Sequence, residues 1–340
     1  MTGFGGPDRL ELVDLPRPAI VRPDQVLVRM HAAALNRIDL FVLEGLPKAR
    51  YDFPHIVGSD GAGTVEEVGT EVSGIRPGDR VMINPGISCG RCDPCLSGEQ
   101  PLCRGYRILG EHLEGTCTEY VVVPAANVAP LGHGFSWAEA AAFPLATLTA
   151  WRMLTTRAGL RAGETVLIWG IGGGVSQALL RIARHLGATT IVTSGSDAKL
   201  AAARADGADH VVNHATGDVV AAVRAATANR GADVVADSVG EPTWPSSLRA
   251  LRRGGRLVTC GATGGPHVTL DVRRLYWHQW SLLGSTMGSR AEFGAVTALA
   301  AGGALWPRVD AVLPLERAVD AFRRLAAGEQ LGKLVIEVLP

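Results

Sequence analysis

The chain has 340 residues, 47% of them hydrophobic, and its 33 basic and 33 acidic residues give a formal net charge of zero. That length is long for a single hydrophobic core, so two domains are expected. A neutral chain without a basic run argues against nucleic acid or a membrane as a partner, and the lack of a signal-peptide core or of about 18 consecutive apolar residues predicts a soluble cytoplasmic protein.

Short runs typical of β-strands recur through residues 1–130, separated by turn sequences such as I-R-P-G-D-R. This pattern predicts a small β-rich domain over residues 1–130, with a cysteine-rich loop at about residues 86–106. The strands predicted there are 26–30, 63–68, 80–83 and 120–123.

Four cysteines lie in the stretch C-G-R-C-D-P-C-L-S-G-E-Q-P-L-C, with a spacing that suits one tetrahedral zinc ion. Four thiolates leave no open coordination position, so this zinc is expected to be structural. One alternative is two disulfides or free thiols, although disulfides are rare in the cytosol. Another is an iron–sulfur site, whose usual C-x-x-x-C-P ending is missing. The predicted ligands are Cys89, Cys92, Cys95 and Cys103.

From residue 131 to residue 289, apolar strands alternate with alanine-rich helices, which implies a parallel sheet covered on both faces. The fold class is therefore α/β, with a doubly wound Rossmann domain over 131–289 beside the β-rich domain. Residues 290–340 end in K-L-V-I-E-V-L, a strand expected to rejoin the first domain. The strands predicted for the Rossmann domain are 165–169, 190–194, 210–213, 233–237, 256–261 and 281–284.

The sequence W-G-I-G-G-G-V-S-Q-A follows the first of these strands and precedes a helix. Glycines at that place let the backbone approach a dinucleotide pyrophosphate resting on the helix N-terminus. A plain tight turn is the alternative, and the usual third glycine is replaced by valine. The expected cofactor contacts are Gly170, Gly172, Gly173, Gly174 and Val175.

The end of the second Rossmann strand reads T-S-G-S-D-A-K, at the place where an NAD site typically has a carboxylate that binds the ribose hydroxyls. A neutral tip formed by Ser194, Gly195 and Ser196, followed by Lys199, favours the extra 2′-phosphate of NADP. Asp197 is the rival carboxylate, better explained as a first-turn helix residue beside a Ser196 cap. The alternative for Lys199 is a solvated surface position.

Further motifs are spread over the whole chain: A-A-A-L-N-R-I-D, G-S-D-G-A-G-T-V-E-E-V-G, G-D-R-V and P-L-A-T-L-T-A-W. Together with the cysteine lobe and the glycine loop, they resemble the medium-chain dehydrogenase/reductase family, above all its zinc-lobed members related to quinone oxidoreductase. The resemblance implies a GroES-like catalytic domain whose two segments flank the cofactor domain. It also implies a small-molecule substrate and a homodimer or homotetramer.

Zinc alcohol dehydrogenases of this family carry a second, catalytic zinc. The resemblance places Asn36, Ser59 and Leu145 at its usual ligand positions, and none of them is a good zinc ligand, so no catalytic metal is expected. Asp60 follows the second position and is interpreted as a structural hydrogen-bonding carboxylate. The alternative is a site rebuilt from other residues, namely His31, His55 and His112.

The resemblance also assigns roles near the nicotinamide. It implies Asn36, Ser59 and Thr149 as catalytic-site residues; for Asn36 the alternative is a local cap or turn hydrogen bond, and for Ser59 a structural hydroxyl. Two cations are implied near the cofactor phosphates, with a solvated position as the alternative for each. These cations are Arg37 and Lys333, and the residues implied at strand ends beside the nicotinamide are Gly240, Gly261 and Ala262.

Without a catalytic zinc, alcohol oxidation lacks its main charge stabiliser, whereas hydride addition to a quinone or conjugated enone gives a delocalised charge. The sequence therefore favours an NADPH-dependent reductase of quinones or α,β-unsaturated carbonyls, with water or a hydroxyl donor supplying the proton. The alternatives are a zinc-dependent alcohol dehydrogenase with relocated ligands, a non-catalytic NADPH- and zinc-binding protein, and a zinc-binding adaptor acting on nucleic acid. Zero net charge argues against the adaptor.

Overall fold

The structure, a computed structural model, describes residues 1–46, 50–131 and 134–339. Strands dominate the beginning of the chain, and helices alternate with strands from α5 onward. The β-strands are β1 (Gln25–Ala34), β2 (Asp60–Val68), β3 (Arg80–Ile83), β4 (Gly86–Ile87), β5 (Arg107–Ile108), β6 (Tyr120–Pro124), β7 (Val128–Pro130), β8 (Thr165–Ile168), β9 (Thr189–Ser194), β10 (His210–Asn213), β11 (Ala232–Ala236), β12 (Leu251–Thr259), β13 (Ser281–Gly284), β14 (Val309–Pro314) and β15 (Lys333–Glu337). The α-helices are α1 (Arg37–Glu44), α2 (Asp93–Leu96), α3 (Trp137–Ala142), α4 (Pro144–Arg152), α5 (Gly174–His185), α6 (Asp197–Ala205), α7 (Val219–Ala226), α8 (Trp244–Ala250), α9 (Val272–His278), α10 (Arg290–Ala301) and α11 (Ala318–Ala327).

The chain divides into two units, the first formed by Met1–Leu148 with Gly288–Pro340 and the second by Thr149–Met287. Residues 131–148, which the sequence analysis placed in the cofactor domain, therefore belong to the first unit. The reason is α3, which packs on β1, β2 and β15 through a buried alanine face. Its start is fixed by a capping box, in which Ser136 Oγ accepts from the Glu139 amide and the Glu139 carboxylate accepts from the Ser136 amide.

The first unit is built on a seven-stranded sheet in the order β14-β15-β1-β2-β3-β7, with β6 also paired to β1. β2, β6 and β15 all pair with β1, and seven of its ten residues are buried. β15, the strand expected from K-L-V-I-E-V-L, runs antiparallel to β1 and parallel to β14. The chain thus returns from the second unit to complete the sheet that its first strands began.

The second unit contains a six-stranded parallel sheet in the order β10-β9-β8-β11-β12-β13. Numbered along the chain, this is the 3-2-1-4-5-6 order of a doubly wound dinucleotide fold, so the predicted fold class is confirmed. β8 and β11 are buried at every residue, as expected for central strands of a parallel sheet that helices cover on both faces.

No helix in the part of the chain that the structure describes is long and apolar enough to cross a membrane.

Candidate active site, metal centre and cofactor loop

Three strand ends of the first unit converge on one buried point. Asn36 follows β1, Asp60 opens β2 and Lys333 opens β15. The strand registers enforce the convergence, because Ala34 of β1 lies opposite both Asp60 and Val335. Residues as far apart in sequence as 297 positions therefore meet.

The side chains of Asn36, Asp60 and Lys333 form a closed set of hydrogen bonds, called here the polar triangle. Lys333 Nζ donates to Asn36 Oδ1 at 2.5 Å and to Asp60 Oδ2 at 2.9 Å, and Asn36 Nδ2 donates to Asp60 Oδ2 at 2.9 Å. The side chains of Lys333 and Asp60 are only 4% and 0% exposed. A buried charge is tolerated when it is both paired and hydrogen-bonded, and the polar triangle meets both conditions.

The N–H donors of Asn36 and Lys333 in the polar triangle differ in how many have a protein acceptor. Asn36 Nδ2 also donates to Ala34 O at 3.2 Å, so both hydrogens of the amide have protein acceptors. Lys333 carries three N–H bonds and donates to two acceptors among the described residues. The burial of Lys333 excludes the solvated alternative, and its ammonium is the group with a donor to spare.

The carboxylate of Asp60 accepts hydrogen bonds from three donors inside the protein. Its Oδ1 accepts from the Leu145 amide at 2.8 Å, while its Oδ2 takes the two donors of the polar triangle. Leu145 thus contributes its backbone N–H, and Thr116 Oγ1 donates to the Asp60 carbonyl at 2.7 Å. A metal ion here would have to displace an ammonium and an amide already in place.

Asp39 and Ser59 support the polar triangle from one side. Asp39 Oδ2 accepts from the backbone N–H of Asn36 at 2.7 Å, and Ser59 Oγ donates to Asp39 Oδ1 at 3.2 Å. Burial raises the pKa of Asp39 to about 7, against the lowering effect of these hydrogen bonds and of Lys333. The carboxyl therefore changes charge near neutral pH, next to the residue that caps α1.

The three histidines considered as relocated metal ligands lie in separate hydrogen-bond settings. His55 Nε2 bonds to Gly110 O at 2.9 Å, and His31 Nε2 lies 3.2 Å from Thr64 Oγ1. The third histidine, His112, accepts from a backbone amide through Nδ1. Within the described ranges, the one grouping of three or more His, Cys, Asp or Glu side chains able to hold a metal is the cysteine lobe.

Two implied site residues lie outside the polar triangle. Thr149 belongs to the second unit, where its buried hydroxyl donates to Met287 Sδ at 3.8 Å. Arg37 is exposed at the first position of α1, and its Nη1 donates to Leu325 O at 3.4 Å. Their contacts with a bound cofactor stay predictions.

The four cysteines of the lobe face one another at zinc-binding distances. All four Sγ atoms lie within 4.8 Å of one another, with Cys92 and Cys95 at 3.4 Å and Cys89 and Cys95 at 3.9 Å. Four thiolates at zinc bond lengths of about 2.3 Å would be about 3.8 Å apart, so the donor set and its spacing fit tetrahedral zinc. Backbone N–H donation, first from Arg91, lowers the pKa of Cys89 to about 6 and favours its thiolate. The ligands would be Cys89, Cys92, Cys95 and Cys103.

The lobe is also closed to solvent on its inner side. Cys95 and Cys103 are buried, and Gln100 Nε2 donates to Cys95 O at 2.9 Å. All four cysteines are free thiols here, so the disulfide alternative does not describe the structure. When bound, zinc would supply a structural cross-link between α2 and the chain at Cys103, with no position open for substrate.

The glycine loop joins β8 to α5 and is fixed by its own backbone. Gly170 adopts a left-handed conformation (φ +68°) that favours glycine, and Gly173 is the N-cap of α5. Ser176 Oγ donates to the carbonyls of Gly170 at 2.6 Å and Gly173 at 2.9 Å, and Gln177 Nε2 donates to Ile171 O at 2.7 Å. These hydrogen bonds fix the shape of the loop at the N-terminus of α5, where Gly172, Gly174 and Val175 complete it, and its contact with a pyrophosphate stays a prediction.

The tip of β9 presents hydroxyls rather than a carboxylate. Ser194 Oγ accepts from the Ser196 amide at 3.1 Å, and Ser196 Oγ caps α6 by accepting from the Lys199 amide at 3.4 Å. The rival carboxylate, Asp197, accepts from Asn213 Nδ2 at 2.7 Å. Gly195 lies between the two serines, close to a histidine ring.

The carboxyl ends of β11 and β12 carry the residues expected beside the nicotinamide. Gly240 is left-handed (φ +93°), and a Cβ there would meet Gly265 O at 2.4 Å, so only glycine fits. Buried Asp237 shapes this turn by accepting from the Gly240 amide at 3.1 Å and from a neighbouring hydroxyl. Gly261 and Ala262 follow β12.

Comparison with known proteins identifies the scaffold. The sequence model described as alcohol dehydrogenase GroES-like domain matches residues 22–133, and the one described as zinc-binding dehydrogenase matches residues 174–302. An NAD-dependent alcohol dehydrogenase of Sulfolobus acidocaldarius is 33% identical, with the match covering 98% of this chain and 97% of that protein. The chain belongs to the medium-chain dehydrogenase/reductase family.

Other members of this family extend the comparison. A solved structure described as a crystal structure of NAD-dependent alcohol dehydrogenase has a TM-score of 0.96 and 44% sequence identity, covering 100% of this chain and 98% of the other. The quinone oxidoreductase of Rattus norvegicus is 28% identical over 98% of this chain and 95% of that protein. The chain is thus an oxidoreductase of the medium-chain dehydrogenase/reductase family. Its cysteine cluster and family indicate a structural zinc and a nicotinamide cofactor.

Sequence reasoning missed how the charged residues of this medium-chain dehydrogenase/reductase pair. Asp60 is the hydrogen-bonding carboxylate that was expected, but its ion pair with Lys333 was not foreseen, and a contact of Lys333 with cofactor phosphates stays a prediction. The run K-L-V-I-E-V-L predicted only a strand that rejoins the first domain, and nothing in it indicated a buried partner for its lysine. Asp237, which shapes the turn at Gly240, carried no signal either.

Proposed function

We propose that this chain is an NADPH-dependent reductase that transfers hydride to a quinone or an α,β-unsaturated carbonyl without a catalytic metal. The observation that carries the proposal is the polar triangle, in which Lys333 places a buried ammonium beside Asp60 and Asn36. At the ligand positions of a catalytic zinc, the chain offers an amide, a hydroxyl and a leucine, and the nearby carboxylate of Asp60 already accepts from three internal donors.

The chemistry follows from which groups have donors to spare. The nicotinamide, when bound, supplies the hydride. The spare N–H of Lys333 donates to an oxygen that gains negative charge, and its low-dielectric surroundings strengthen that interaction. Asp39 and Ser59 hold Asn36, which in turn holds Lys333 in place. The proton that completes the reduced product comes from water or from a hydroxyl donor.

The preference for NADPH rests on the tip of β9. Ser194 and Ser196 occupy the place where an NAD site wants a carboxylate, and Asp197 is engaged with Asn213. Lys199, in the first turn of α6, supplies the positive charge for a 2′-phosphate. NADH is the competing cofactor, because several similar proteins are named NAD-dependent.

The second candidate function is a zinc-dependent alcohol dehydrogenase, which the names of several relatives favour. The two candidates differ in metal content and in substrate. A catalytic zinc would add a second ion to the structural one and would support oxidation of simple alcohols.

The deciding experiment measures zinc per chain and turnover on the same preparation. We expect about one zinc per chain, matching a single four-cysteine site. We also expect NADPH oxidation with a benzoquinone and with a cyclic enone, and little NADP⁺ reduction with primary or secondary alcohols. Two zinc ions per chain with alcohol oxidation would establish the alcohol dehydrogenase instead. Tight NADPH binding without turnover of any substrate would indicate a non-catalytic cofactor-binding protein.

A further inference from the structure

A basic cavity of ≈ 290 Å³ lies in the second unit, at the amino-terminal edge of the parallel sheet. It is lined by residues just before or at the start of β11, β12 and β13, whereas the glycine loop follows β8 at the opposite, carboxyl edge. The four residues of β8 alone span about 13 Å at about 3.3 Å per residue, so the two places are distinct. The lining residues are Arg224, Asn229, Arg230, Arg249, Leu251, Arg253, Arg274, His278 and Trp280.

The charge of this cavity is not balanced within the chain. Five of the lining residues are arginines and none is acidic. Among the described residues, none of these five guanidinium groups forms an ion pair with a carboxylate. Carboxylates elsewhere in this unit pair with other arginines: Asp233 with Arg252, Glu164 with Arg256 and Asp271 with Arg273. Because the whole chain has zero net charge, an excess of five positive charges in one cavity is a local feature rather than a general one.

The guanidinium group of Arg224 is positioned by hydrogen bonds to three backbone carbonyls. Arg224 Nη1 donates to Asn229 O at 2.8 Å and to Arg230 O at 3.3 Å, and its Nη2 donates to Arg249 O at 3.1 Å. These three carbonyls come from the turn before β11 and the end of α8. Asn229, whose carbonyl accepts from Arg224, is itself in the left-handed conformation (φ +63°).

The other wall of the cavity is aromatic. Trp280 is buried, and its Nε1 donates to Arg252 O at 2.9 Å. The Arg274 guanidinium carbon lies 5.4 Å from the Trp280 ring, and His278 stacks on that ring at 4.7 Å with an interplanar angle of 17°. Burial, and then the charges of Arg253 and Arg274, lower the pKa of His278, as expected where like charges converge.

We propose that this cavity binds a small anion carrying two or more phosphate groups, at a site separate from the cofactor loop. Guanidinium forks match phosphate oxygens in pairs, and several forks around a concave site suit several phosphates better than one. A nucleic-acid strand is the less favoured occupant, because a polymer needs a long basic surface, whereas outside the five cavity arginines this chain has more acidic than basic residues.

The test is calorimetric titration of the full-length, zinc-loaded protein with tripolyphosphate. The protein is first saturated with whichever nicotinamide cofactor it binds, so that the glycine loop is blocked. We expect one site per chain, weakened as salt increases. The variant Arg253→Ala/Arg274→Ala should bind about a hundredfold more weakly, because each charge-assisted contact contributes about tenfold. Arg253→Lys/Arg274→Lys should recover part of the affinity and guards against misfolding of the alanine variant.

Arg273→Ala is the matched control, since Arg273 neighbours Arg274 on the same helix but is paired with Asp271. It should bind tripolyphosphate as the unaltered protein does. The proposal is overturned if cofactor-saturated protein shows no binding at low salt, or if the double alanine variant binds as tightly as the control. Inorganic phosphate binding as tightly as tripolyphosphate would also overturn it. Tighter binding of a single-stranded oligonucleotide would assign the cavity to nucleic acid instead.

Discussion

At the scale of single residues, Lys333 decides how the first unit can carry charge in its interior. Its ammonium is bonded to Asp60 and Asn36, and both members of the Lys333–Asp60 ion pair are buried. Breaking a buried pair by removing one partner is far more costly than replacing both partners, because the remaining charge is left without compensation.

Lys333→Met should therefore lower the free energy of unfolding by about 3–5 kcal/mol, since Asp60 keeps its buried charge and loses its partner. Urea denaturation followed by circular dichroism measures this. Lys333→Met/Asp60→Asn should regain part of the loss while remaining inactive toward quinones. A single variant as stable as the unaltered protein would contradict the structural role given to the pair.

Asp39 predicts a specific dependence of stability on pH. Its pKa is about 7 in the folded chain and about 3.8 when unfolded, so between these values the folded state holds a proton that the unfolded state releases. Stability should then fall as the pH rises from about 4 to about 7. In Asp39→Asn this fall should be smaller, because the amide mimics the protonated carboxyl. Denaturation midpoints compared at pH 5 and pH 8 check the prediction, and identical slopes for both proteins would refute it.

At the scale of elements, the cysteine lobe is a local structure held by four thiolates from one short segment. Its helix α2 has only four residues, too few to be stable by itself, so the lobe depends on its metal. The β9–α6 segment is different, because its shape is set by serine caps and by the Asp197–Asn213 hydrogen bond. Metal removal should therefore destabilise the cysteine lobe, whereas changes in the β9–α6 segment should alter which cofactor binds.

Cys92→Ser should lose zinc and lower the melting temperature markedly, since zinc binding in such lobes contributes on the order of 10 kcal/mol. Cys260→Ser is the control, because Cys260 lies outside the lobe. Metal analysis and thermal denaturation are the measurements. Full zinc content in Cys92→Ser would show that the lobe is not the zinc site.

Lys199→Glu should weaken NADPH binding far more than NADH binding, because the new carboxylate repels the 2′-phosphate and can accept from ribose hydroxyls. Arg204→Glu, in the last turn of the same helix, makes the same change of charge at a distance and serves as the control. Dissociation constants for both cofactors are measured by fluorescence titration. Equal losses for the two cofactors would remove Lys199 from the phosphate site.

At the scale of the whole molecule, the parallel sheet ends at β13, which pairs with β12 and with no other strand among the described residues. An open edge strand is a site for pairing with another chain. The helix before it exposes Tyr276 at 65% and Trp277 at 66%, whereas Trp280 is buried in the core. Of the two tryptophans in L-Y-W-H-Q-W, Trp277 therefore has the ring that is accessible for a subunit contact.

We therefore predict a homodimer or homotetramer in solution, to be measured by light scattering coupled to size exclusion. Trp277→Ser should shift the population toward smaller species if α9 and β13 form the contact. Leu96→Ser, at an exposed position on the cysteine lobe, should not change the mass. A monomer mass for the unaltered chain at working concentrations would contradict the prediction.

Sequence reasoning succeeded where the information is local. The alternation of strands and helices foretold the parallel sheet, and the spacing of Cys89, Cys92, Cys95 and Cys103 foretold their convergence. It failed where the partner lies far along the chain. The Lys333–Asp60 pair joins residues 273 positions apart, and the place of α3 depends on packing against β15. Such contacts are set by topology, which no short motif records.

That long separation has a consequence for synthesis. A ribosome adding about 5–20 residues per second needs roughly 15–50 seconds to travel from Asp60 to Lys333. The cysteine lobe can bind its metal early in that interval, whereas Asp60 has no oppositely charged partner until Lys333 and the final strand have been synthesised. Prematurely terminated translation products should therefore carry zinc yet remain catalytically silent, and proteases that survey nascent proteins would find their unfinished sheet exposed.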